Sequence, residues 1–290
     1  MAEIIDGKAT SLKIQEELAE EVKVIKGKGG KVPHLAAVLV GDDGASVTYV
    51  NAKVKACERI GFGSTLVQLP ASTSETELLK KVDELNNDPE IDGFIVQVPL
   101  PSHINEQKVV DAIDPKKDVD GFHPINMGKM ILGLPGMVPA TPKGVMLLLE
   151  KNGIDTEGKH VVVMGRSHTV GTPISVLLSR KAKPGNSTVT QVHSRTKDIP
   201  SITKQADILV VAIGQPEFVT GNMVKKGAVV IDVGIHRVED SSKKSGFKLK
   251  GDVKYDEVSE IASKITPVPG GVGPMTIAAL LYNTLLATKS

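Results

Sequence analysis

Residues 161–171 read VVVMGRSHTVG: a short apolar run, a glycine, a tight polar stretch and a second glycine. The stretch stands where the turn of a dinucleotide-binding strand–helix unit would stand, yet it is not G-x-G-x-x-G. Ser167 takes the place of the middle glycine, Val170 stands at the third position, and Gly171 comes one residue late. Gly165 can make the bend, and Ser167 is small and brings a hydroxyl donor. A helix beginning near Val170 offers free N–H groups to a phosphate, and Pro173 suits a first helical turn. An ordinary strand–turn–helix junction has the same appearance, so the stretch alone leaves both readings open.

Working outward, similar β-branched runs recur at 35–40 (LAAVLV), 64–69, 93–98, 188–193, 208–213 and 228–233. Helical patterns lie between them, near 10–26, 46–60, 75–87, 105–113, 142–152, 170–182 and 275–288. Near-continuous apolar strands alternating with helices predict an α/β chain of parallel strands covered on both faces. The strands fall into two groups, separated by the Pro/Gly-rich DPKKDVDGFHPINMG and GLPGMVPATP, which suit an irregular linker and cleft wall. The expected organisation is two α/β domains with a cleft between them, 1–145 and 146–274, the second Rossmann-like. The final helix, 275–290, has no strand after it and can pack back on either domain; it is grouped with the first. Residues 239–250 read as a surface hairpin or loop.

Composition excludes several classes. The 290 residues are 40% hydrophobic and 24% charged with a net charge of +1, which gives no reason to expect nucleic acid or an anionic membrane as partner. Aromatics are 3% with no Trp, so a base-stacking platform is not expected. The single cysteine, Cys57, excludes an internal disulfide and a Cys-based zinc site. The seven histidines show no ligand spacing, and no metal is expected. The start lacks a signal-peptide pattern and no apolar run reaches about 18 residues, so a cytoplasmic protein is expected.

Several side chains stand out as candidates for chemistry. The run TVTQVHSRT ends in His193, Ser194 and Arg195, without the carboxylate that takes ribose hydroxyls in NAD sites. Together with Arg166 it suits a 2′-phosphate, hence NADP, although either arginine alone reads as a solvated cation. In the helix over 46–60, Ser46 is the expected N-cap, and Val47, Val50, Val54 and Cys57 the core stripe. Tyr49 and Lys53, four apart, share a face beside it, as a catalytic pair or as the edge of any amphipathic helix. Gln97 is a polar residue in an apolar strand just before two prolines, where a buried amide needs partners. Asp118 and Asp120 flank a turn at Gly121, and either can simply hold it. PVPGGVGP (267–274) can bring backbone N–H groups close to a ligand, or serve only as a connection.

Taken together, these stretches resemble the methylenetetrahydrofolate dehydrogenase/cyclohydrolases over essentially the whole chain. The resemblance is carried by Tyr49-Val-Asn-Ala-Lys53, Gln97-Val-Pro-Leu-Pro101, Lys117-Asp-Val-Asp-Gly-Phe122, Gly165-Arg-Ser167, Thr190-Gln-Val-His-Ser194 and Pro267 to Thr276. It implies NADP-dependent oxidation of 5,10-methylenetetrahydrofolate to the 5,10-methenyl cation, then hydrolysis to 10-formyltetrahydrofolate, by a homodimer with folate in a groove between two domains. By the same resemblance, Lys53 is the central catalytic group, Gln97 positions Lys53 or the reacting water, Tyr49 stacks on the folate, and Asp120 holds the amino-pyrimidine. Val96, Val98, Pro269, Gly270 and Gly271 would line the folate site. Gly165, Arg166, Ser167, Ser194, Arg195, Ile235 and Gly273 would take the cofactor. Relatives lacking the hydrolase step have another residue at the position of Lys53, so its presence favours both activities. Where members commonly carry Ile, this chain has Thr169. No formyltetrahydrofolate synthetase domain is expected. Outside this family, the alternatives are a shikimate- or amino-acid-type NADP dehydrogenase and a non-catalytic NADP-binding sensor.

Overall fold

A computed structural model describes residues 1–243 and 246–289. In chain order the strands are β1 (Glu3–Ile4), β2 (His34–Val40), β3 (Gly63–Leu69), β4 (Gly93–Val96), β5 (His160–Met164), β6 (Thr188–Val192), β7 (Ile208–Val211), β8 (Val229–Asp232), β9 (His236–Glu239), β10 (Phe247–Lys250) and β11 (Lys264–Ile265). The chain divides into two compact units, Leu12–Ala140 with the segment from Ile277 onward, and Met1–Ser11 with Thr141–Thr276.

The first unit is built on a parallel three-stranded sheet in the order β3-β2-β4, with Val38 opposite both Val67 and Val96. Every residue of β2 from Leu35 to Val40 is buried, as a strand covered on both faces must be. Helix Glu75–Asn87 closes one face: Leu78, Val82 and Leu85 pack on Ala36, Val38 and Phe94. A capping box starts that helix, Ser74 and Glu77 satisfying each other's backbone N–H. The Pro/Gly-rich stretch expected to be irregular contains a helix, Pro124–Leu132. His123 caps it, its Nδ1 accepting from the Ile125 amide at 3.1 Å, and Pro124 sits in the first turn, where its missing N–H costs nothing.

The second unit carries a parallel six-stranded sheet, β1-β11-β8-β7-β5-β6, with helices Ala140–Lys151 and Gly171–Ser179 and a core of Val162, Met164, Leu209, Val211 and Val230. Residues 1–11, expected within the first domain, belong here because β1 pairs with β11 (Glu3 opposite Lys264). The stretch 239–250 is part of an antiparallel pair, β9 with β10; its residues 244–245 lie outside the described residues, as does Ser290.

The two sheets share one plan. In each, one strand (β2 or β5) has the next strand on one side and the one after it on the other, so strand order reverses beside it. In each, a histidine opens that strand. The amides of His34 and His160 donate to Asp92 and Asp207 at 2.8 and 2.9 Å, and their Nε2 atoms bond Thr65 and Thr190 on the neighbouring strand. Ligands of open α/β sheets gather at the carboxyl ends of the strands beside such a reversal. Both groups of candidate residues described below lie there.

Candidate active site

In the first unit the candidates come from segments that follow β2 and β4. Helix Gly44–Ile60 is capped by Asp43, whose Oδ2 accepts from the Ser46 amide at 2.8 Å; Ser46, expected as the cap, is buried inside the first turn. The buried stripe is Ser46, Val50, Lys53, Ala56, Cys57 and Ile60, while Val47 and Val54 are only half-buried. Lys53 therefore lies within the apolar stripe, 5% exposed, instead of at its edge. Cys57 is inert there, its thiol pushed up to about 12, chiefly by burial.

Strand β4 stops at Val96, two residues earlier than an apolar reading through Val98 suggests, and the Gln97 amide still donates to Val38 O at 2.8 Å. The Gln97 side chain is thereby aimed at Lys53. Lys53 Nζ donates to Gln97 Oε1 at 3.1 Å, and Gln97 Nε2 donates to Val98 O at 2.7 Å, which fixes the amide's orientation. The ammonium lies 5.6 Å from the centre of the Tyr49 ring, within cation–π reach.

Two aspartates divide the work of the turn that follows. Asp118 is buried and holds the loop: Oδ1 accepts from the amides of Gly121 and Phe122 at 3.0 and 3.3 Å, Oδ2 from the His123 amide and Asn126 Nδ2 at 2.8 and 2.9 Å. Asp120 is left to face Lys53. Burial raises its pKa, the Lys53 charge lowers it, and Asp118 raises it again. Burial likewise depresses the pKa of Lys53, with Asp120 opposing that effect. Asp120 also borders, with Val96, Val98 and Phe122, a cavity of about 30 Å³. Asp118→Asn would turn an N–H2 group toward two backbone or side-chain donors. It is expected to lower stability by about 2–4 kcal/mol, read as the urea unfolding midpoint; an unchanged midpoint would remove Asp118 from this role.

The C-terminal helix Val272–Ala287 braces the same loop. Asn283, fully buried, donates through Nδ2 to Val119 O and Val138 O at 2.8 and 2.9 Å. Sequence reasoning passed over Asn283, whose only signal is a polar residue in the apolar run ALLYNTLLA.

In the second unit a cavity of about 470 Å³ opens at the carboxyl ends of β5, β6 and β7. It brings together Gly165, Arg166, Ser167 and Ser194, and adds Ala212, Ile213, Gln215 and Phe218 from the loop after β7, which sequence reasoning did not single out. Its size suits a cofactor. The helix N-terminus is less free than expected: the amides of Val170 and Gly171 donate to Ser167 Oγ at 3.1 and 3.3 Å, and that of Thr172 to Ser167 O. Ser167 thus acts as a cap while keeping its own hydroxyl hydrogen. The amides of residues 166–169 meet no acceptor among the described residues. Asp198, the first carboxylate after β6, caps the short helix Ile199–Thr203.

Other candidates stand outside this cavity's lining. Arg195 is exposed, its amide donating to His193 Nδ1 at 3.2 Å; Ile235 is exposed just after β8; and Gly273 lies in the first turn of the C-terminal helix. Pro269 is exposed, Gly270 O accepts from the Lys8 amide at 2.9 Å, and Gly271 packs against Gly7, where a Cβ would come within 1.8 Å of Gly271 O. No helix among the described residues is long and apolar enough to cross a membrane, and no group of three His, Cys, Asp or Glu side chains could hold a metal ion.

Comparison with known proteins agrees in both halves. The family model for the tetrahydrofolate dehydrogenase/cyclohydrolase catalytic domain matches residues 5–120, and that for the NAD(P)-binding domain matches residues 139–290. The bifunctional protein FolD of Cytophaga hutchinsonii is 67% identical over 285 residues, 98% of each chain. Among solved structures, the bifunctional FolD enzyme of Campylobacter jejuni is 47% identical with a TM-score of 0.92, covering 100% of this chain and 99% of its own. The dehydrogenase-cyclohydrolase of Trypanosoma brucei, solved with NADP cofactor and inhibitor, is 42% identical with a TM-score of 0.94, covering 99% and 97%. The chain belongs to the tetrahydrofolate dehydrogenase/cyclohydrolase family.

Proposed function

We propose that this chain oxidises 5,10-methylenetetrahydrofolate with NADP+ and hydrolyses the resulting 5,10-methenyl cation to 10-formyltetrahydrofolate, with Lys53 as the central catalytic group. The observation that carries the reading is the buried Lys53 Nζ, bonded to Gln97, facing Asp120, and destabilised as an ammonium by burial. An ordinary lysine, with a pKa of about 10.5, is a poor base near neutrality; burial moves Lys53 downward, the direction a base requires.

NADP+ supplies the hydride acceptor when bound; the remaining work belongs to the chain's own side chains. Tyr49 offers a ring for stacking beside the ammonium, and Asp120 a carboxylate for an amino-pyrimidine. Val96, Val98 and the Pro269–Gly271 turn line the folate in this reading. In the hydrolysis, neutral Lys53 takes a proton from the water that adds to the methenyl carbon. The ammonium so formed returns that proton to the ring nitrogen as the carbon–nitrogen bond opens, and the hydroxyl proton leaves to solvent. Gln97 holds Nζ on line for both transfers.

The cavity at the end of β5 suits the dinucleotide. Its unpaired amides and Arg166 favour phosphate, and no carboxylate stands at the end of β6 to select an unphosphorylated ribose. Ser194, Arg195, Ile235 and Gly273 complete the cofactor set. Replacing Arg166 and Arg195 together by glutamine is expected to raise the KM for NADP+ by about tenfold or more relative to that for NAD+. An unaltered ratio of the two KM values would defeat the phosphate assignment.

A shikimate- or amino-acid-type dehydrogenase would account for the cavity after β5 but not for Tyr49, Lys53, Gln97 and Asp120 falling together within a folate-enzyme catalytic domain, and a non-catalytic sensor would account for the second unit only. One assay tests the reading: purified protein with methylenetetrahydrofolate and NADP+, followed at the absorbance of NADPH and of the methenyl product. Absence of both products refutes it. The family resemblance further implies a homodimer in the cytoplasm, the first of which sedimentation equilibrium checks.

A further inference from the structure

The loop after β7, residues 212–218, forms one wall of the cavity through Ala212, Ile213, Gln215 and Phe218. Its shape is not one the chain adopts freely, since Gly214 and Glu217 both have left-handed backbones, φ +69° and +55°. Glutamate in that region is unusual, and such a conformation persists where the surroundings impose it.

Segment 250–254 imposes it. The Glu217 amide donates to Gly251 O at 2.9 Å and the Val219 amide to Asp252 O at 3.0 Å, while Lys250 pairs with Glu217. At the centre stands the Asp252 carboxylate, 0% exposed. Oδ2 accepts from the amides of Ile213 and Gly214 at 2.7 and 3.1 Å, and Oδ1 from the Gln215 amide at 2.9 Å. The fourth donor is His236 Nε2, 2.7 Å from Oδ1; the carboxylate can only accept, so that nitrogen carries the hydrogen. Asp252 is itself seated by Asp232 at the end of β8, whose Oδ1 takes the Asp252 amide and Oδ2 the Val253 amide, both at 3.0 Å. Gly234 leaves room for this, a Cβ there lying 2.4 Å from Asp252 Cγ.

We infer that Asp252 is a positioning residue for the dinucleotide: its buried carboxylate, gripped by His236, folds three consecutive amides of the 212–218 loop around itself and so sets the wall against which NADP binds. The inference rests on the cavity being the NADP site. Asn in place of Asp252 supplies one acceptor atom for four donors and turns an N–H2 toward the others, so the loop must open. His236 is the gentler probe, since its ring is partly exposed and Gln can reproduce its N–H donor.

The test is titration of the whole protein with NADPH, followed by nicotinamide fluorescence, with circular dichroism to confirm folding. Asp252→Asn is expected to raise the Kd by about tenfold or more, and the KM for NADP+ with it, while kcat at saturating NADP+ stays within about threefold. His236→Ala is expected to raise the Kd about threefold, and His236→Gln to bring it back to within about twofold of the original. If Asp252→Asn does not fold, the His236 pair decides alone. A folded variant with lowered melting temperature but unchanged Kd would overturn the inference, leaving Asp252 a structural acid only. Failure of the unmodified protein to bind NADPH would instead refute the cofactor reading of the cavity, and the inference with it.

Discussion

Replacing Lys53 by methionine is expected to cut hydrolysis of the methenyl cation by a hundredfold or more, while the fold and NADPH binding persist. A positioned general base contributes about 10²–10⁴ in rate, and methionine has no proton to exchange. The slot itself is kept. Methionine fills the space of the lysine stem between Val50 and Cys57, and an apolar side chain suits a stripe that is otherwise buried. Asp120 loses the Lys53 charge that opposes the effect of burial, so its pKa, already raised, rises further. Arginine gives the sharper comparison, because it keeps the charge but cannot deprotonate. If Lys53→Arg hydrolyses at near the original rate, Lys53 acts through charge alone and not as a base. The pH profile supplies an independent reading. A lysine with a lowered pKa becomes a competent base below the ordinary 10.5, so the hydrolysis rate should climb with pH in that lower range, and both variants should lose the climb.

Lys53 also marks how far the sequence could be read. Its four-residue spacing from Tyr49 was visible, but a charged residue counts as polar in any periodicity, so the helix seemed to bury Val47 and Val54 and to carry Lys53 at the rim. The structure turns the helix so that Lys53 lies within the stripe, where it meets its partner Gln97 just past the end of β4. Runs such as 35–40 and 161–164 were legible because strands covered on both faces must be apolar throughout. The pairing of β1 with β11 was not: two residues carry no period, and their partners stand some 260 positions away. Helix Pro124–Leu132 was hidden by the prolines and glycines around it, although His123 and Pro124 form a permissible start. Asp252 left no local trace at all, since its partners are mainly backbone amides, which every residue but proline possesses.

At the opposite end of the chemistry, Gly165→Ala is expected to weaken NADPH binding by about a hundredfold and to lower stability by a few kcal/mol. Gly165 has φ +121°, a backbone open to glycine and strained for alanine. A Cβ placed there lies 2.1 Å from Ala212 O, the first residue of the loop after β7, which cannot swing aside as a flexible side chain could. On its other side Gly165 O sits against Gly171, where a Cβ would come within 2.3 Å, so the turn is held between the 212–218 loop and the start of helix Gly171–Ser179. A methyl group on Gly165 therefore pushes the turn carrying Arg166 and Ser167 away from the 212–218 loop braced by Asp252. In the proposed mechanism, hydrolysis of the methenyl cation uses Lys53, Gln97 and Asp120 in the other unit, so it should outlast the dehydrogenase reaction in this variant. Parallel assays of the two steps, at a temperature below the variant's melting point, make the comparison. Equal loss of both would mean that the turn at Gly165 serves the whole protein's stability and not the dinucleotide in particular.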